Sequence, residues 1–173
     1  MSTSIKKRGY SMVEMLVYIA ILAALFLTVV DMMLTIGTSY STLKATKLLN
    51  TSASSAMERI SREAKNALSI DDANSIFGAA LGELSLVRPL SDGATTTVKL
   101  FLENEVLELS EDGVLEGPLT GEATKVKKFW LTKMILDQSV GIKIELTLES
   151  QYKGKIASST FYTTEILRGS YQN

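Results

Sequence analysis

Residues 15–30 read MLVYIAILAALFLTVV, sixteen positions without a charge. Adding residues 11–14 makes twenty positions with a single charge, Glu14. At about 1.5 Å per residue, a helix of that length spans roughly 30 Å, the thickness of a bilayer's hydrocarbon core. A helix on the surface of a soluble domain keeps a polar face. This run keeps none over about four turns, so the sequence predicts a bilayer-spanning helix near the N-terminus.

The charges around the run set its direction. Lys6, Lys7 and Arg8 precede it, and no acid occurs in the first nine residues. The whole chain has 18 Lys and Arg against 19 Asp and Glu, so from Tyr10 onward 15 bases face 19 acids. Basic residues stay on the cytoplasmic side. The N-terminus is therefore expected in the cytoplasm and the body of the chain outside it. A secretory signal has a shorter apolar run closed by a small-residue cleavage site. Here the run passes into a charged, helix-forming stretch, as an anchor does.

Glu14 is the unusual residue. A charge at the centre of a membrane helix costs on the order of 2.5–3.5 kcal/mol, less near the interface, and an intramembrane carboxylate calls for a named partner. Arg8 lies six residues back, beyond the next turn. Cleavage after Gly9 would place a new α-amino group on Tyr10, four residues from Glu14. That amine could pair with its own Glu14 or with one on a neighbouring helix. The other reading of the same segment is an uncleaved anchor for an extracytoplasmic binding domain.

The stretch from Lys6 to Glu14, KKRGYSMVE, running into the apolar helix, resembles the class III signal of bacterial type IV prepilins and type II secretion pseudopilins. The resemblance implies cleavage after Gly9 by a prepilin peptidase, which also methylates Tyr10, with Lys6, Lys7 and Arg8 as the leader charges. It implies that Glu14, fifth in the mature chain, helps a subunit register against its neighbour. It further implies a pilin-like α+β fold, in which a long N-terminal helix packs on an antiparallel β-sheet. Tyr10 stands where Phe or Met is commoner in the family. Asp31 stands where many major pilins carry a helix-breaking Pro, which points to a minor pilin or pseudopilin. Residues 57–67 and 163–169 resemble the helix end and closing strand of the J-like minor pseudopilin.

Beyond the apolar run, Leu49, Ala53, Ala56, Met57, Ile60, Ala64, Ala67 and Leu68 form a stripe at helical period. The helix is expected to continue to about Ile70, roughly 90 Å from Tyr10. Its first half would be the transmembrane half and its second the amphipathic half, packed on the sheet. Glu58 with Arg62 and Arg59 with Glu63 are i,i+4 pairs expected on the solvated face. Gly37, followed by the polar residues 38–42, predicts a soft point, and residues 71–75 a helix stop.

From Gly82 the apolar period becomes two. Leu84 and Leu86, Val98 to Leu102, Leu107 and Leu109, residues 126–136, residues 140–148 and residues 155–167 read as strands of an antiparallel sheet. Turns are expected at residues 103–105 and 111–113, and a loop at 118–124. The expected organisation is a leader at 1–9, an assembly half of the helix at 10–36, an amphipathic half at 37–70, and an exported sheet region at 71–173 that forms one globular domain with the helix.

Composition argues against chemistry. The chain has no His and no Cys, which removes the commonest general base, the Ser–His triad, disulfides and Cys-based metal sites. No phosphate-binding loop is present. Residues 91–93 and 111–113 lack the ligand density of a Ca²⁺ loop and read as plain turns, and Trp130 beside Phe129 reads as core. No catalytic residue, cofactor or metal is expected, and a net charge of −1 gives no reason to expect nucleic acid. The resemblance implies as partners a prepilin peptidase/methyltransferase, other pilin or pseudopilin subunits, an inner-membrane assembly platform and membrane lipid. It places the chain as a single-pass inner-membrane protein whose C-terminal domain is extracytoplasmic and enters a filament.

Overall fold

The computed structural model describes residues 11–136 and 139–171. The chain begins with one long helix, α1 (Met12–Asn66), followed by eight strands: β1 (Ser69–Ile70), β2 (Leu84–Pro89), β3 (Thr95–Glu103), β4 (Val106–Glu111), β5 (Val114–Pro118), β6 (Thr124–Leu136), β7 (Ser139–Tyr152) and β8 (Lys155–Ile166). It divides into two compact units, Met1–Tyr40 and Ser41–Asn173. The class is α+β, a long N-terminal helix with antiparallel sheets, as the sequence predicts.

In the second unit the helical stripe is the base of the core. Ala45, Leu49, Ala53, Ala56, Ile60 and Ala64 are buried at steps of three and four, the spacing of one helix face. Small Ala side chains let the sheets approach closely, and larger residues from the strands fill the space above them: Leu84, Leu86, Leu100, Leu107, Leu109, Phe129, Leu131, Ile142, Ile144, Leu146 and Leu148.

The helix ends at Asn66, four residues before the expected Ile70. Leu68 N–H donates to Val87 O, and residues 69–70 pair with β2 instead of continuing the helix. Gly37 and the polar residues after it lie within α1, so the expected soft point leaves no break in the element. Local hydroxyls bond back to the helix, Thr35 to Asp31 O at 2.9 Å and Thr38 to Thr35 O at 2.9 Å.

The strands form two antiparallel sheets where the sequence suggested one, in the orders β1-β2-β3-β4-β5 and β6-β7-β8. After β5, residues 119–123 lead away from the first sheet. β6 begins beside the β3–β4 turn, where Val126 N–H donates to Glu105 O at 2.7 Å. Three hairpins use two-residue turns with both residues at positive φ: Asn104–Glu105 (51°, 63°), Asp112–Gly113 (49°, 82°) and Lys153–Gly154 (46°, 77°). Such turns match the twist of the flanking strands. The first two fall where the sequence places turns; the third follows β7, whose alternation the sequence shows most clearly.

β6 explains a broken alternation. Lys127 stands as an extra residue between Val126, which pairs with Leu148, and Lys128, which pairs with Thr147. This bulge lets Val126, Phe129 and Leu131 all reach the core despite their uneven spacing. Phe129 is fully buried, but Trp130, which the sequence places in the core, is not. Trp130 points to the opposite face, half-buried, with Lys128 Nζ 4.9 Å from its ring.

Candidate assembly site

The described part of the first unit, residues 11–40, is almost all helix, with little protein around it among the described residues. Leu16 is 64% exposed, Leu22 68%, Phe26 67% and Leu34 64%. Ile19, Leu22, Ala23, Leu25, Phe26 and Val29 line a shallow apolar groove along it. Each such side chain gains about 1.5–3 kcal/mol on leaving water. About twenty of them in water would cost tens of kcal/mol, so this surface is covered by something other than solvent. The helix is long and apolar enough to cross a membrane. Its few polar groups are locally satisfied: Thr28 Oγ1 donates to Leu25 O at 2.7 Å.

Glu14 lies in the first turn of α1, at the end where the helix dipole favours an anion. Met15 N–H donates to Ser11 O at 3.1 Å, fixing that turn. Tyr18, one turn on, donates its phenolic O–H to Glu14 Oε1 at 3.3 Å. The bond is long, and a carboxylate accepts about four hydrogen bonds, so among the described residues most of its acceptor capacity remains open. Residues 11–43 contain no Lys or Arg; their charges are Glu14 and Asp31 alone. A cation for Glu14 must therefore come from the chain's own start or from another molecule.

A protein-family model, the prokaryotic N-terminal methylation motif, matches residues 5–30. The chain carries a type IV prepilin-like class III signal. The match spans Lys6, Lys7, Arg8, Gly9, Tyr10 and Glu14 and stops one residue before Asp31. Proteins with this motif are in general non-catalytic structural subunits, and the motif implies processing by a prepilin peptidase and assembly with other pilin subunits. With the apolar helix it points to membrane anchoring. No curated protein and no solved structure matches the chain.

Of the residues singled out by the sequence, Glu14 is on the helix as described, and Lys6, Lys7, Arg8, Gly9 and Tyr10 lie outside the described residues. Tyr18 was not singled out, although its position four residues after Glu14 marks it as a same-face neighbour. The acids of the two candidate Ca²⁺ loops serve as local caps: Asp92 accepts from Ala94 N–H at 2.9 Å, and Asp112 from Thr97 N–H at 2.8 Å and the Thr96 hydroxyl at 2.8 Å. Among the described residues no group of three His, Cys, Asp or Glu side chains is placed to hold a metal ion.

One expectation is overturned in the second unit. Glu58 and Arg62 form an exposed pair, but in the second pair Arg59 is only partly exposed and Glu63 is buried. The Glu63 side chain is 3% exposed and is held by Arg59 at 2.9 Å and by Arg88 of β2 at 3.1 Å. Periodicity could not show this, because the buried arc of α1 is wider than its apolar stripe and the cation that allows Glu63 inside comes from another element.

Proposed function

We propose that the chain is a non-catalytic minor pilin or pseudopilin, cleaved between Gly9 and Tyr10, methylated on Tyr10, and assembled through residues 10–36 into a type IV pilus, competence or type II secretion filament. The observation that carries this is Glu14 inside a methylation motif that matches residues 5–30, with most of its acceptor capacity open among the described residues, on a helix whose first 32 residues, 12–43, hold no base. Before assembly the helix rests in the cytoplasmic membrane, with the leader in the cytoplasm and residues 41–173 outside. Cleavage exposes an amine at Tyr10. Transfer from lipid into a helix bundle removes Glu14 from the interface, where a carboxylate depends more on a counterion, and the terminal amine supplies it. Asp31, where many major pilins have Pro, supports a minor subunit.

Replacement of Glu14 in the native host tests this. Glu14→Ala is expected to be processed, exported and folded as the wild type while its share of the filament fraction falls at least about 10-fold, the equivalent of about 1.4 kcal/mol. Undiminished incorporation would contradict the proposal.

A further inference from the structure

Between residues 15 and 27 one side chain carries an N–H or O–H donor, that of Tyr18. Tyr18 lines an apolar groove with Met15, Ile19, Leu22 and Leu25 and is 56% exposed. The groove belongs to the apolar surface of α1 that something other than solvent covers. A phenolic O–H taken out of water needs an acceptor. Farther along α1 the hydroxyls find one in their own helix: Thr28 donates to Leu25 O, Thr35 to Asp31 O and Thr38 to Thr35 O. Such back-bonding suits a short side chain. A phenol cannot copy it, because its oxygen stands at the far end of a rigid ring. Tyr18 instead reaches a side chain, the Glu14 carboxylate four residues back on the same face, with its oxygen 3.3 Å from Oε1.

We propose that Tyr18 is the positioning residue for Glu14 in assembly: its phenol holds Oε1 and leaves Oε2 for the terminal amine. The inference rests on the reading of this chain as a filament subunit and names a second residue of that contact. An exposed Glu side chain samples several rotamers, and fixing it in one opposes every ion pair it forms. A donor one turn on fixes it before the amine arrives. The bond is long while water competes for both groups. Covering the groove removes that water, and a hydrogen bond to a carboxylate strengthens in the drier surroundings. The donor is also uncharged. It orients Glu14 without neutralising it, so the carboxylate still attracts an amine, whereas a lysine at position 18 would satisfy the acid within its own helix.

A double-mutant cycle in the native host tests this, with the share of each full-length chain in the filament fraction measured by mass spectrometry. Tyr18→Phe keeps the ring and removes only the donor. It is expected to lower that share about 3- to 10-fold, the range of an ordinary hydrogen bond, with cleavage after Gly9 unchanged. In the Glu14→Ala background the same substitution should change the share by less than about 1.5-fold, because the two groups act as one unit. An undiminished share for Tyr18→Phe would overturn the inference and leave the ring as groove packing. An equal loss in both backgrounds would also overturn it, since Tyr18 would then act as an interfacial anchor independent of Glu14. Either result with a processed, assembled wild type defeats this inference alone; an intact leader on assembled wild-type protein defeats the filament reading as well.

Discussion

Arg88 on β2 meets Glu63 on α1 at 3.1 Å, and the same guanidinium reaches Glu111 on β4 at 2.5 Å. The Thr96 hydroxyl on β3 donates to Asp112 at 2.8 Å and lies 3.2 Å from Glu111, so α1, β2, β3 and β4 share one polar network. A buried carboxylate is tolerated only when it is paired, and Glu63 has two cations for its two oxygens. The network fixes the helix against the first sheet at a point where apolar contacts alone would permit sliding.

Glu63→Ala leaves Arg88 and Arg59 with an empty site. Breaking a buried pair costs about 3–5 kcal/mol. Arg88 is 25% exposed and can recover some hydration, so about 3 kcal/mol is expected. Glu58→Ala, at the exposed pair, should change stability by no more than about 0.5 kcal/mol. Denaturant melts of the two variants give the comparison, and equal losses would show that the Glu63 pair contributes nothing special.

Gly82 is required by a close approach. A Cβ there would sit 2.6 Å from Phe129 O and 3.2 Å from Ile76 O, both backbone atoms. Gly82→Ala must push residues 78–82 off β6, costing about 1–3 kcal/mol. Faster exchange of the Phe129 amide, with β7 unchanged, is the expected signature. Unaltered exchange at Phe129 would contradict a protective role for residues 78–82, which bond to Phe129 and Leu131 of β6.

Acid should loosen the junction of the two sheets. Hydrogen bonds from Lys125 and Lys127 hold Glu105 at about 2, below its ordinary 4.5. Its stabilising contribution is therefore complete above about 4.5 and is lost as pH falls toward about 2. Asp112, lowered by the Thr97 N–H and the Thr96 hydroxyl, acts in the same direction below its ordinary 3.8. The partner shift has the opposite sense. Lys127 is raised above 10.5, chiefly by its hydrogen bond to Glu105, and its contribution is lost only as pH rises through that raised value. Glu105→Gln should flatten the acid limb of a Tm-against-pH curve; a limb as steep as the wild type's would exclude Glu105 as a cause.

The apolar run, Glu14, the helical stripe and most strands are legible in the sequence because each is a local period or a short motif. Ile142, Ile144, Leu146 and Leu148 alternate in the sequence and are all fully buried. Features that depend on a distant partner are not legible. The short β1 exists because β2 pairs with it, and the split into two sheets follows from where β6 begins. The Lys127 bulge shifts the phase of β6 by one residue and hides its alternation. Glu63 reads as solvent-facing until Arg88, 25 residues on, is placed beside it. At the candidate assembly site the motif identifies Glu14, but no residue from 11 to 43 supplies its cation.

The central claim is that Glu14 finds its counterion at a chain terminus made by cleavage. Mass spectrometry of the N-terminal peptide, from protein recovered from its own host's filament fraction, tests it most directly. A peptide starting at methylated Tyr10 is the predicted result; a peptide retaining Met1 to Gly9 would contradict the account.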